Sequence, residues 1–143
     1  MLIAHVLREK GAAVHTLAAD ATLEQAALEL NGKKVGALVV LDVRGAIKGV
    51  LSERDVVREV ARRGAAALDD VVSMAMTKEV VTARLDETID ECLARMTDRR
   101  IRHLPVLGEG KLIGIVSIGD LVKHRIAAVE AEAAAMQAYI TAH

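Results

Sequence analysis

Gly49-Val-Leu-Ser-Glu-Arg-Asp55 and Gly114-Ile-Val-Ser-Ile-Gly-Asp120 decide the fold, because each closes an aliphatic run with Ser-x-x-Asp and the two stand 65 positions apart (114 minus 49). The echo widens on either side. Val35-Gly-Ala-Leu-Val-Val-Leu41 returns as Ile101-Arg-His-Leu-Pro-Val-Leu107 and Thr22 returns as Thr88, both at a spacing of 66 (101 minus 35, 88 minus 22), so one residue is lost near the intervening turn. Two copies of a unit too small for a good core of its own predict a pseudo-symmetric pair sharing one core. The seam between such halves is a natural place for a ligand, so function is to be sought where the copies face each other and where they differ.

Local patterns give each copy the order β-α-β-β-α. Ile3 to Lys10 has short helical periodicity and stops at Gly11. Val14 to Leu17 reads as a short strand. Thr22-Leu-Glu-Gln25 matches a capping box, and Leu23, Ala26, Ala27 and Leu30 then form one apolar helix face that Asn31-Gly32 ends. Val35 to Leu41 is a buried-strand run, Asp42 to Gly45 a turn, Ile47 to Leu51 a strand, and Ser52 starts a helix reaching about Arg62. In the second copy Val80 to Ala83 is the short strand and Thr88-Ile-Asp-Glu91 the capping box. Ile89, Cys92, Leu93 and Met96 make the helix face, and Ile101 to Leu107 and Leu112 to Val116 are strands around Gly108-Glu-Gly-Lys111. The only proline, Pro105, falls inside a strand and should occupy an edge or a position whose N–H is not needed. The division is therefore an N-terminal helix with repeat 1 over 1–62, a linker over 63–78 with a helical turn near Leu68 to Met74, repeat 2 over 79–126, and a C-terminal helical extension over 127–143. The fold class is α/β (α+β), with the two repeats packed through their sheets.

Composition narrows the function. Of 143 residues 52% are hydrophobic but 1% aromatic (Tyr139 alone), so Ala, Val, Leu and Ile must do the packing. A net charge of −1 argues against a general nucleic-acid binder, which should be basic and carry aromatic stacking platforms. The single Cys92 excludes an intramolecular disulfide and suits a reducing compartment. The apolar runs are too short to span a membrane and the N-terminus lacks the form of a secretion signal, so a cytoplasmic protein is expected. His5, His15, His103, His124 and His143 show no ligand spacing with one another or with Cys92, so no metal is expected. With no nucleophile elbow and no phosphate-cradling Gly-rich loop, no catalytic residue is assigned and a non-enzyme is expected.

These residues resemble tandem cystathionine β-synthase (CBS) domains: VGALVVL with AIKGVLSERDVV in copy one, IRHLPVL with GEGKLIGIVSIGDLV in copy two, and Met76-Thr77 at the start of copy two. The resemblance runs from about Ile3 to Lys123. It implies a regulatory module binding adenosine-containing ligands (AMP, ADP, ATP, S-adenosylmethionine or NAD) in clefts between the halves, with signalling to a separate, unknown protein partner.

Ser117 and Asp120 open a helix, where Ser caps and Asp returns a hydrogen bond. Their recurrence as Ser52 and Asp55 at family-matching places implies a second role: the Asp carboxylate accepts from ribose hydroxyls while Ser and the first helical N–H groups face ribose or phosphate. Arg102 and His103 read either as a solvated basic edge with Arg99 and Arg100 or, by resemblance, as phosphate ligands. Copy one has Gly36 and Ala37 there, so the clefts should differ in affinity; Arg54 is a further phosphate candidate. An adenine slot can be lined by Val81, Thr82, Ile101, Leu104, Pro105 and Ile115 in copy two, and by His15, Thr16, Val35, Leu38 and Val50 in copy one, all of which also suit a ligand-free core.

The expectation is thus a sensor, set against a weak nucleotide- or NAD-hydrolysing enzyme and a structural homodimer with degenerate clefts. Val122, Ile126, Val129, Ala133, Met136 and Ile140 form one apolar stripe on a tail helix, which predicts a homodimer using that helix.

Overall fold

The computed structural model describes residues 1–142; His143, one of the five histidines above and the last residue of the expected tail, lies outside the described residues. Its elements in chain order are α1 (Ile3–Lys10), β1 (Thr16–Ala18), α2 (Leu23–Lys33), β2 (Ala37–Leu41), β3 (Ile47–Ser52), α3 (Glu53–Arg63), two 3-10 helices (Gly64–Asp69 and Val72–Met74), β4 (Ala83–Arg84), α4 (Ile89–Arg99), β5 (His103–Gly108), β6 (Lys111–Ser117) and α5 (Ile118–Ala142). The repeated β-α-β-β-α order is present in full. Two compact units form, one from residues 14–81 and one from residues 1–13 with 82–142.

In the unit of residues 14–81 the sheet order is β1-β2-β3, with β1 parallel and β3 antiparallel to β2. Leu38, Val40 and Leu51 from the sheet meet Leu23, Ala26 and Leu30 of α2, and Ala67, Val72 and Ala75 close the core. The capping box at α2 is realised: Gln25 N–H donates to Thr22 Oγ1 at 3.2 Å and Thr22 N–H to Gln25 Oε1 at 2.9 Å. The helix does not stop at Asn31-Gly32 but runs on to Lys33. Lys34 then takes the left-handed conformation (φ 56°), and its N–H reaches the Leu30 and Asn31 carbonyls, doing the work expected of a glycine. Residues 71–77 belong to this unit through hydrogen bonds from Val72 N–H to Ala21 O (2.7 Å) and between Val50 and Thr77 (3.0 Å each way). Gly49 permits that approach, since a Cβ there would lie 2.7 Å from Thr77 O.

The second unit repeats the sheet as β4-β5-β6. Here α1 takes the place that residues 71–77 hold in the other unit. Ile3 N–H donates to Glu87 O at 2.9 Å and Ala4 N–H to Leu85 O at 3.1 Å, and Leu7 covers Gly114, whose added Cβ would meet it at 2.8 Å. The opening helix thus joins residues 82–142 and not the repeat that follows it in sequence, because its apolar face (Ile3, Val6, Leu7) and its N-terminal amides find their partners there. Glu87, 5% exposed, accepts from Arg84 N–H and is held by the Arg95 guanidinium, whose Nη1 also donates to Thr82 O at 2.9 Å. Cys92 is buried, and that burial pushes its thiol up.

Pro105 lies in the central strand, not at an edge. Ile118 N–H bonds to Arg102 O, so by antiparallel alternation the Pro105–Ile115 pair is a non-hydrogen-bonded one and the missing N–H costs nothing toward β6. Toward β4 it would matter, and there the pairing begins one residue later than in copy one: Ala83 with Val106, against Thr16 with Val39. The short strand accordingly starts at Ala83 instead of Val80. The residue lost between copies falls in the hairpin. Copy one needs a loop in which Asp42 Oδ1 accepts from Arg44 and Ala46 N–H (2.9 Å each), whereas copy two turns on Glu109 and Gly110, both at positive φ (52° and 76°).

Candidate functional site

The antiparallel register sets His103 opposite Ser117, and Ile118 N–H donates to Arg102 O at 2.8 Å. Arg102, His103, Ser117 and Asp120 therefore share one end of the sheet, where β6 runs into α5. Ser117 caps the helix, its Oγ accepting from Asp120 N–H at 3.1 Å while Ser117 N–H donates to Asp120 Oδ2 at 2.8 Å. The capping role is thus real, and it leaves the ligand role open. Asp120 Oδ2 also accepts from Lys10 Nζ at 2.6 Å, and the side chain keeps 26% exposure. Burial acts to raise the Asp120 carboxyl, but the Lys10 ammonium and the Ser117 amide outweigh it and hold the group below its ordinary value. The result is an ionised, partly exposed acceptor at a helix N-terminus, at the sheet end that also carries Arg102 and His103, an arrangement suited to hydroxyl donors and a phosphate.

Copy one repeats the frame with different chemistry. Glu53 N–H donates to Gly36 O at 3.0 Å and Ala37 pairs with Ser52, so Gly36 and Ala37 stand where Arg102 and His103 stand in copy two. Ser52 N–H donates to Asp55 Oδ2 at 2.9 Å, and Arg58 Nη1 takes Asp55 Oδ1 at 2.9 Å while its Nη2 reaches Ala75 O at 3.0 Å. Asp55 is 6% exposed and has both oxygens engaged. Arg54 is exposed on the same first turn of α3.

Among the apolar candidates, Leu104, Leu38, Pro105 and Ala37 are buried, whereas Val81, Thr82, Ile101, Ile115, His15, Val35 and Val50 are half-buried and Thr16 is exposed. Val35 and Gly36 line a depression of about 420 Å³ with Lys34, Glu53 and Val57. Thr16 lines another, of about 440 Å³, with Leu41 and Asp42. Sequence reasoning missed Lys10 and Arg58. Arg58 was legible as an i,i+3 partner of Asp55, but Lys10 lies 110 residues from Asp120 and carried no local signal. Among the described residues no group of three His, Cys, Asp or Glu is placed to hold a metal, and no helix is long and apolar enough to cross a membrane.

The chain belongs to the CBS domain family: residues 11–62 and 68–127 each match that domain. The CBS domain-containing protein CBSX3 of Arabidopsis thaliana is 34% identical over 125 residues, covering 85% of this chain and 61% of the relative, so the chain spans less than two thirds of that protein. The CBS-domain protein ATU1752 of Agrobacterium tumefaciens superposes with a TM-score of 0.85 at 44% identity, over 87% of this chain and 92% of its own. The CBS domain pair of MJ0100, solved with 5′-methylthioadenosine and S-adenosyl-L-methionine, gives a TM-score of 0.78 over 89% of this chain and 97% of its own; at 22% identity that likeness concerns the fold.

Proposed function

We propose that this tandem CBS module is a regulatory sensor, not an enzyme, whose copy-two site takes an adenosine-containing ligand, with Asp120 accepting the ribose hydroxyls and Arg102 and His103 facing the phosphate. The observation that carries it is the Asp120 carboxylate, ionised, partly exposed and held through Oδ2 at the start of α5, at the same end of the sheet as Arg102 and His103. The adenosine ligands of MJ0100 are a precedent within the same fold. AMP, ADP and ATP are the leading ligands, NAD the larger alternative, and the signal passes to a separate protein in the cytoplasm.

Calorimetry with AMP and 2′-deoxy-AMP tests the ribose contact. Losing a hydrogen bond to a charged acceptor costs on the order of 1–3 kcal/mol, so the deoxy analogue should bind about tenfold or more weakly, as should AMP to Asp120→Ala. Equal affinities refute the ribose role. Recovering AMP, ATP and NAD unchanged after incubation supports a sensor over a hydrolase.

A homodimer is the second part of the reading. Ile126, Val129, Met136 and Ile140 on α5 are between 47% and 67% exposed, a continuous apolar stripe that a two-fold partner would cover. Light scattering on the full chain and on one ending at Arg125 tests it. A monomeric full chain removes the dimer.

A further inference from the structure

The stripe on α5 sits on the flank of the helix away from its own unit. Leu121 and His124 are buried against that unit, with His124 Nε2 2.8 Å from Glu9 Oε2, and Ala128 is the last residue with even partial cover. At 100° per residue, Val122, Ile126, Val129, Ala133, Met136 and Ile140 lie roughly 130° round from the buried face. Lys123, Glu130 and Gln137 border the stripe on one side; Arg125, Glu132 and Tyr139 border it on the other. From Val129 to Ala142 every residue is exposed, about 21 Å of projecting helix.

The charges on the borders choose the occupant and its register. The apolar spacing is palindromic about Ala131, which would pair Val122 with Ile140, Ile126 with Met136 and Val129 with Ala133 of a second, antiparallel copy. That register sets Glu130 against Glu130 and Glu132 against Glu132, four like charges around the axis. Sliding by one heptad moves the axis between Ala127 and Ala128 and removes the conflict. Ile126 then meets Val129, Val122 meets Ala133 and Gly119 meets Met136, large against small in each outer layer. Lys123 faces Glu130, Arg125 faces Glu132, and Ile118 (36% exposed) faces Tyr139. A parallel, in-register pair satisfies only Arg125 with Glu130, stacks Ala133 on Ala133 and sets Lys123 against Ile118.

We propose that α5 pairs antiparallel with α5 of a second copy of this chain about a two-fold axis between Ala127 and Ala128, with Lys123–Glu130 and Arg125–Glu132 as reciprocal inter-copy ion pairs. This rests on the homodimer reading above and adds its geometry. Arg125 also lies 3.4 Å from Asp90 Oδ1 of its own unit, an exposed pair of little worth that yields to the new partner. The charge cycle on Lys123 and Glu130 is therefore the cleaner probe.

The test is the dimer dissociation constant of the full chain by analytical ultracentrifugation at low salt, for Lys123→Glu, Glu130→Lys and the double variant. Each single change creates two like-charge pairs per dimer and should weaken association about five- to tenfold, while the double variant restores it, and the differences should fade at high salt. Circular dichroism melting confirms that each variant is folded, since both positions are exposed. A full chain monomeric at every concentration overturns the dimer and this geometry together. A dimer indifferent to all three changes keeps the dimer and overturns the α5 pairing. Failure of the double variant, with Arg125→Glu rescued by Glu130→Arg instead, assigns a parallel pair and overturns the antiparallel register.

Discussion

Lys10 Nζ lies 2.6 Å from Asp120 Oδ2 and 2.8 Å from the Ile115 carbonyl oxygen, so the last turn of α1 is fastened to the sheet end where α5 begins. Arg58 does the equivalent work in the other unit, bridging Asp55 and the Ala75 carbonyl. Each Ser-x-x-Asp aspartate is therefore paired with a cation that also ties down a neighbouring segment. Because the Asp120 carboxyl is held below its ordinary value, its contribution to stability is present above about pH 4 and lost as pH falls through the folded-state value. Lys10→Met should cost about 1 kcal/mol at pH 7, and the gap to wild type should narrow toward pH 3. Urea midpoints at both pH values measure this; a gap that stays constant contradicts it.

Gly49 and Gly114 occupy equivalent places but face different neighbours. A Cβ at Gly49 would lie 2.7 Å from Thr77 O, which is backbone fixed by two hydrogen bonds to Val50. A Cβ at Gly114 would meet the side chain of Leu7, its two methyls at 2.8 and 2.9 Å. Overpacking costs about 1–3 kcal/mol, so Gly49→Ala should sit at the upper end and Gly114→Ala at the lower. Equal losses in thermal melts would count against this account of the two contacts.

The repeat, the element order and both Ser-x-x-Asp caps were legible because each rests on contacts within a few residues: Thr22 with Gln25, Ser117 with Asp120, aliphatic runs with their turns. What was not legible is long-range. Nothing near Ile3 says that it bonds to Glu87, and nothing near Lys10 says that it reaches Asp120. The end of α2 falls past Asn31-Gly32 because a residue other than glycine, Lys34, accepts the left-handed conformation. For Pro105 the strand was legible but its central place was not, since that depends on where β4 starts.

Glu87 and Arg95 form the most buried ion pair of their unit, bonded through both carboxylate oxygens. The Arg95 hydrogen bond holds the Glu87 carboxyl below its ordinary value against the opposing effect of burial. Its stabilising contribution is therefore present above about pH 4.3 and lost as pH falls through the folded-state value. Arg95→Met strands a buried carboxylate and should cost about 3 kcal/mol at pH 7. The cost should shrink near pH 3, where the carboxyl in the variant is protonated. Denaturant titrations of wild type and variant at the two pH values test this, and a larger loss at low pH would show the sign to be wrong.

The two aspartates should separate in a ligand titration. Asp120 is partly exposed, accepts through Oδ2 and shares its sheet end with Arg102 and His103; Asp55 has both oxygens engaged, is buried, and shares its sheet end with Gly36 and Ala37. Asp55→Asn should leave AMP affinity within about twofold, yet lower stability by about 1–2 kcal/mol through the loss of its charged bond to Arg58. Asp120→Asn should weaken AMP about tenfold or more. Arg102→Ala should weaken AMP similarly, since a charge-assisted bond contributes about 1.5–3 kcal/mol, while leaving adenosine almost unchanged because adenosine carries no phosphate. Calorimetry with AMP and adenosine on the three variants reads all of this together. An Arg102→Ala protein that loses adenosine as severely as AMP would place that arginine on the nucleoside or in the fold rather than on the phosphate, and equal losses from Asp55→Asn and Asp120→Asn would make the two sites equivalent.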